Sequence, residues 1–337
     1  MKAVGYQTAG PLERGDALVD IHLETPTASG HDLLVAVKAI SVNPVDYKIR
    51  QRVSADPGQW KVLGWDVAGQ VVAVGEKVTL FRPGDEVFYA GSLGRAGANS
   101  EYHLVDERIV GRKPTTLTWA EAAALPLTAL TAWEMLFDRL MITRPVPGAA
   151  HAIVIVGGAG GVGSIAIQLV RALTDLTVIA TASRPETRQW ALDLGAHHVV
   201  DHSRPLADEV AKLGIGAPAF VFSTTHTDRH ADQIAQLLAP QGRFGLIDDP
   251  EAFVVNPFKS KSISVHWELM FTRSMFATAD MAEQGRILNE VANLTEQKKI
   301  RSTLAQTWSP IRADNLKKAH ALLESGKAIG KLVLEGF

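Results

Sequence analysis

The chain has 337 residues, enough for two domains with a core each. Apolar side chains make up 46% and charged ones 21%, the balance of a soluble globular protein, and a formal net charge of -2 gives no basis for binding nucleic acid or an anionic membrane. Cysteine is absent, which excludes disulfides, thiolate catalysis and thiolate-ligated zinc together.

The N-terminus turns polar by Gln7 and has no apolar leader core, so the expected location is the cytoplasm. The first third reads as β-rich. Residues 33–42 and 69–74 have strand patterns, and Pro83-Gly84-Asp85 is a turn that feeds a strand over 86–89. Residues 101–105 form a further short strand. The period changes near Ala120. The stretch 120–133 is apolar, yet it is too short to span a membrane and contains Glu121 and Pro126. Residues 120–140 read as helix, broken or kinked at Pro126.

Strands and helices then alternate. Residues 177–181 are a strand. A helix over 183–194 has Pro185 in its first turn and Gly195 closing it. A strand over 198–200, a helix over 205–213, a strand over 219–223 and a helix over 230–238 follow. Residues 243–247 and 262–266 are the last strands of this series. Repeated βα units imply a parallel sheet covered on both faces. Residues 281–294 are helical, and 331–334 read as a strand returning to the first domain. The expected division is residues 1–126 with 270–337 as a β-rich domain, and 127–269 as an inserted α/β domain.

The most informative stretch is 154–164, VIVGGAGGVGS: an apolar strand, a glycine turn and a helix start. Gly158, Gly160 and Gly163 fit G-x-G-x-x-G. The first glycine allows the tight turn, the second lets the backbone approach a pyrophosphate, and the third lets helix pack on strand. The helix N-terminus, with Gly161 and Val162, offers free N–H groups to phosphate oxygens. Val162, Ala166, Leu169, Val170 and Leu173 repeat at helical spacing.

Together with Ser41-Val42-Asn43-Pro44-Val45-Asp46, Gly64-Trp65-Asp66-Val67-Ala68-Gly69, Pro83-Gly84-Asp85-Glu86-Val87, Leu130-Thr131-Ala132-Trp133, His266-Trp267-Glu268-Leu269-Met270-Phe271-Thr272-Arg273 and Gly330-Lys331, this turn resembles the medium-chain dehydrogenase/reductase superfamily. The most similar branch is that of the quinone oxidoreductases, and within it the proteins called zinc-type alcohol dehydrogenase-like. The resemblance implies a GroES-like β-rich substrate domain, a Rossmann domain with a doubly wound parallel sheet, a nicotinamide cofactor in a cleft between them, and a homodimer. The edge strand 262–266 is the expected dimer contact.

In zinc-dependent members a Cys, a His and a Cys or Asp hold the metal. Asn43, Trp65 and Leu127 stand at those positions here, and none is a zinc ligand. Asp46 and Asp66 remain, expected to hold backbone or cofactor-side contacts. His226 and His230, four apart with Asp228 between them, form a metal pair only if they share a helical face; a loop after a strand end is the alternative. His197 and His198 are adjacent and point to opposite faces of a strand.

An NAD-preferring site places a carboxylate at the end of the second strand. That strand ends here in Ala180-Thr181-Ala182-Ser183-Arg184, without an acid, and Asp175 lies at its wrong end. Ser183 and Arg184 suit a 2′-phosphate, which makes NADPH the expected cofactor. Ser183 also makes a capping box with Glu186, and Arg184 reads equally as a surface charge. The resemblance adds His202 near the adenosine phosphate, with Thr131 and Lys331 near the cofactor. Without a metal, an electrophilic acceptor is favoured: a quinone or an α,β-unsaturated carbonyl. Asn43 is a candidate hydrogen-bond partner for substrate or ribose, and Tyr47 a candidate proton donor. Trp65, Trp267 and Phe271 are candidate walls of the substrate pocket, or simple core aromatics. Two other readings stay open: a zinc-dependent alcohol dehydrogenase, and a non-catalytic NADPH-binding sensor.

Overall fold

The structure is a computed structural model that describes residues 1–337. It divides into two units, one of Met1–Leu130 with Phe271–Phe337 and one of Thr131–Met270.

The first unit is built on the strand Asp32–Ser41, whose apolar run is buried along most of its length. Its first half pairs antiparallel with Tyr102–Asp106, from Asp32 opposite Asp106 to Ala36 opposite Tyr102. Its second half pairs with the C-terminal strand Lys331–Glu335, where Ser41 faces Val333. The expected return of the chain's end to this domain is therefore found. The sheet runs Leu304–Trp308, Lys331–Glu335, Asp32–Ser41, Val67–Val74, Glu86–Tyr89 and Gly111–Arg112. A second, three-stranded sheet places Lys2–Tyr6 between Val19–His22 and Lys61–Val62.

Directly after the central strand the chain turns into helix Pro44–Arg52, with Asn43 at its N-cap and Pro44 in its first turn. The buried face of this helix carries Asp46 and Arg50. Arg50 is fully buried and reaches Gly10 O, His320 Nδ1 and Glu324 Oε1. It thereby ties the helix to a second one, Ala313–Glu324.

The second unit holds six parallel strands in the order His198–Val200, Thr177–Thr181, Ala150–Val156, Pro218–Ser223, Arg243–Leu246, Ser264–Trp267. In chain order this is 3-2-1-4-5-6, the doubly wound arrangement. Central strands covered on both faces must be apolar on both. Val154, Val156, Ile179, Val221 and Phe244 accordingly form one core.

Several element bounds differ from those read in the sequence. The helix expected over 120–140 is three pieces: Trp119–Ala123, Pro126–Trp133 and a π-helical turn, Glu134–Arg139. The break expected at Pro126 is found, with Pro126 starting the second piece, and the first unit runs on to Leu130. The helix expected from Ser183 begins at Pro185, with Gly195 in left-handed conformation behind it. The helix expected from His230 begins at Thr227. The last parallel strand starts at Ser264, because Ser262 is left-handed, φ 51°. No helix is long and apolar enough to cross a membrane.

Candidate active site

In the second unit the glycine turn joins strand Ala150–Val156 to helix Gly161–Leu173. The left-handed residue of the tight turn is Gly157, φ 80°, one position before the motif's first glycine. Gly158 serves packing instead: a Cβ there would lie 2.8 Å from Ala180 Cβ. Gly163 serves close approach. A Cβ on it would stand 2.3 Å from Gly157 O, so only glycine lets the helix pass this close to the turn. Gly160 is the N-cap and has no side chain to satisfy the helix's first N–H groups. A Cβ on Gly160 would meet only Gly157 O, at 3.5 Å, so that face of the turn is clear. Backbone donors in front of a clear glycine face suit a pyrophosphate.

Thr181, at the end of the neighbouring strand, anchors the turn. Its hydroxyl accepts from Gly157 N at 3.0 Å and lies 2.9 Å from His202 Nδ1, and its carbonyl accepts from Gly158 N at 3.1 Å. His202 is thus tied to the glycine turn by one threonine, and burial pushes its imidazole down toward the neutral form. Thr181 belongs to none of the sequence motifs, although a hydroxyl at a strand end beside a glycine turn is a recognisable signal.

Ser183 is exposed just beyond. The capping box expected between Ser183 and Glu186 is not formed. Arg184 occupies the N-cap, and its N–H and carbonyl both bond the Thr187 hydroxyl. Glu186 is turned to Arg184 instead, with Oε1 3.3 Å from Nε. The helix starts one residue later because Pro185 fits its first position. His226 is left-handed at the N-cap of helix Thr227–Leu237, and His230 lies on the helix with its ring 6.2 Å from that of His202. Nowhere do three or more His, Asp and Glu side chains group so as to hold a metal ion.

In the first unit Asn43, Asp46, Asp66 and Lys331 form one buried cluster, each at most 3% exposed. Asp46 Oδ2 accepts from Asn43 N at 2.7 Å and its Oδ1 from Gly64 N at 3.0 Å, which joins the helix start to the Gly64-Trp65-Asp66 segment. Burial pushes the Asp46 carboxyl up to about 7, against these two N–H donors. Asp66 Oδ1 accepts from Leu127 N at 2.7 Å, and its Oδ2 lies 2.9 Å from both Asn43 Nδ2 and Lys331 Nζ. Burial pushes this carboxyl up as well, while the ammonium of Lys331 pulls it back down. Lys331 also donates to Val42 O at 3.1 Å and to Asn43 Oδ1. Three acceptors take all three ammonium protons. The Asn43 amide is held at both ends, oxygen to Lys331 and nitrogen to Asp66.

Trp65 is 2% exposed; it donates Nε1–H to Ser92 O at 3.2 Å and meets Phe271 edge-on at 6.3 Å. Two of the three candidate pocket aromatics thus touch each other inside one unit. The third, Trp267, is in the other unit, 53% exposed, and packs edge-on against Phe253. Tyr47 is half-buried on helix Pro44–Arg52, and Thr131 is buried at the start of the second unit.

One buried acid pair was not foreseen. Glu134, on the π-helical turn, faces Glu268, just past the last parallel strand, and Arg139 Nε lies 2.7 Å from Glu268 Oε2. Burial first, and Glu134 next, push the Glu268 carboxyl up to about 8. Two glutamates 134 residues apart give no signal in a sequence.

Residues 29–126 match the alcohol dehydrogenase GroES-like domain, and 194–334 match the zinc-binding dehydrogenase domain. The zinc-type alcohol dehydrogenase-like protein of Staphylococcus epidermidis is 38% identical, over 99% of either chain. A solved structure from Rhizobium etli CFN 42, named as a candidate zinc-dependent alcohol dehydrogenase, is 67% identical with a TM-score of 0.99, covering 100% of this chain and 98% of that one. The Escherichia coli quinone oxidoreductase complexed with NADPH shares the fold, with a TM-score of 0.83 at 23% identity and coverage of 99% and 100%. The chain belongs to the medium-chain dehydrogenase/reductase superfamily, in the branch of the quinone oxidoreductases and zinc-type alcohol dehydrogenase-like proteins, and is an oxidoreductase with a pyridine-nucleotide-binding fold.

Proposed function

We propose that this protein is a zinc-independent reductase that uses NADPH to transfer a hydride to a quinone or an α,β-unsaturated carbonyl. The observation that carries this reading is the Asn43–Asp66–Lys331 cluster. The family resemblance implies that zinc-dependent members keep metal ligands at the positions of Asn43, Trp65 and Leu127. Here the first is locked to an ammonium, the second is an indole bonded to Ser92 O, and the third is an aliphatic side chain. A divalent cation at Asn43 would have to displace Lys331 from its ion pair with Asp66. The donor set does not fit zinc.

The nucleotide fits the second unit better. Gly160, Gly161 and Val162 present N–H groups to the pyrophosphate, and Gly163 keeps helix and turn together. Ser183 and Arg184 take the 2′-phosphate, for which Arg184 exchanges its exposed partner Glu186. When bound, the dihydronicotinamide supplies the hydride. An enone accepts that hydride at its β-carbon. The electron pair moves to the carbonyl oxygen as an enolate, and a proton from water added at the α-carbon re-forms the carbonyl and gives the saturated ketone. Lys331 is not that proton's source, since its protons are all committed. It holds Asn43 and Asp66 in place, while the Tyr47 hydroxyl is the donor to the substrate oxygen.

The edge strand Ser264–Trp267, with its exposed Trp267, is the surface through which two copies pair. The test of function is NADPH consumption over a panel of quinones and enones. Turnover of conjugated acceptors supports the reading; tight NADPH binding with no turnover on any of them supports the sensor instead.

A further inference from the structure

A cavity of about 270 Å³ lies wholly within the first unit, between the segment after strand Glu86–Tyr89 and the stretch that follows Phe271. Leu104, Val105, Ile109, Met275 and Met281 give it apolar walls. Trp65 fixes one side, because its Nε1–H holds Ser92 O, and Ser92 lines the cavity. Phe271, in edge contact with Trp65, leads into the stretch that supplies the opposite side, Ser274, Met275, Ala277 and Met281, within which Arg273 pairs with Asp280 at 3.0 Å. Gly91 lines the cavity, and a Cβ on it would lie 3.6 Å from His103 Cε1 and 3.8 Å from Trp65 Cδ1, so this wall is backed by the indole.

The ionic groups around the cavity are all matched internally. Arg95 makes a two-pronged pair with Asp32, at 2.7 and 2.8 Å, and Arg108 makes one with Asp106, at 2.9 and 2.6 Å. His103 is stacked on Tyr89, and its nitrogens are taken by Tyr89 Oη at 3.0 Å and Ala96 O at 2.9 Å. Burial holds that imidazole down to about 4, hence neutral. No spare charge is offered to an anionic ligand, which argues against a phosphate, a carboxylate or an acyl-nucleotide. Two methionines, unbranched and polarizable, suit an apolar guest of variable shape.

We propose that this cavity receives the uncharged aliphatic tail of the carbonyl acceptor, an assignment that rests on the reductase reading above. The tail lies along Met275 and Met281, and the conjugated head stays on the Trp65 side. The cavity therefore selects acceptors by chain length, with a preference for medium-length alkyl or prenyl substituents over short ones.

Two measurements on the intact protein test this. The first is kcat/KM with NADPH for linear 1-alken-3-ones of rising length. The wild type should gain about threefold per added methylene until the cavity is full, and then level off. In Met275→Trp, the ratio between long and short enones should fall toward one, and Met275→Ala should move the plateau to a longer chain. The second is calorimetric binding of 2-nonanone, a saturated ketone that cannot undergo conjugate reduction, to wild type and Met275→Trp. Binding by the wild type that weakens at least tenfold in the variant supports the cavity. A chain-length ratio shared by all three proteins, or no binding of the ketone, overturns it. Ketone binding without turnover of any enone would count against the reductase reading and leave the cavity assignment standing.

Discussion

Lys331 and Asp66 form an ion pair 2.9 Å long with side chains 3% and 0% exposed, joining the C-terminal strand to the Gly64-Trp65-Asp66 segment. Charges this deep persist only when every proton and lone pair is matched. Lys331→Met should leave Asp66 as an unpaired buried carboxylate and cost ~3–5 kcal/mol. The double variant Lys331→Met with Asp66→Asn should recover part of that loss. Denaturant unfolding of wild type, both single variants and the double variant checks both statements, and full additivity of the two substitutions would contradict the pairing.

Arg184 is the proposed partner of the 2′-phosphate, yet Glu186 stands 3.3 Å from it. Both groups are well exposed, so their pair is worth only ~0–1 kcal/mol. Glu186→Ala should therefore tighten NADPH binding by about two- to fivefold. Arg184→Ala should weaken NADPH by roughly tenfold and leave NADH nearly unchanged. Dissociation constants from nicotinamide fluorescence decide this, and equal losses for both nucleotides would assign Arg184 a different role.

Tyr47→Phe separates a donor from a packing residue. With the Tyr47 hydroxyl as hydrogen-bond donor to the substrate oxygen, kcat should fall about ten- to a hundredfold. NADPH affinity and unfolding midpoint should stay put. An unchanged kcat would leave Tyr47 as a residue of the helix surface.

The Glu134–Glu268 pair gives stability a pH dependence. Glu268 keeps its proton in the folded chain up to about 8, whereas in the unfolded chain it releases it near the ordinary value of 4.5. Between these values the unfolded state binds fewer protons, so stability is full below about 4.5 and is lost as pH rises through about 8. Asp46, pushed up to about 7, acts in the same sense over a narrower range. Glu268→Gln should flatten the alkaline part of the curve, with a gain on the order of 2 kcal/mol at high pH. Chemical denaturation across the window, compared between wild type and variant, is the check.

Much of the fold could be read from periodicity, because the parallel strands are buried on both faces and appear as apolar runs. The strand Thr177–Thr181 and the turn into Glu86–Tyr89 fall where the pattern puts them. Short strands with a mixed burial pattern escaped it: Val19–His22 buries only one side chain, and Leu304–Trp308 none fully. Helix starts shifted where two capping residues compete, as at Ser183 and Arg184. The glycine turn was legible as a motif, but not the allocation of strain within it, since Gly157 lies outside the pattern. Asn43, Asp66 and Lys331 could each be named as candidates. Their union could not, because it depends on the C-terminal strand pairing beside Ser41. The same holds for the cavity beside Trp65, whose walls come from separate stretches of chain.

The most direct test of the central claim is the zinc content of protein purified without chelator, measured together with NADPH-dependent reduction of a conjugated enone before and after chelator treatment. The account expects zinc far below one atom per chain and a reduction rate that the chelator leaves unchanged. Stoichiometric zinc, with alcohol oxidation that the chelator abolishes, would contradict it.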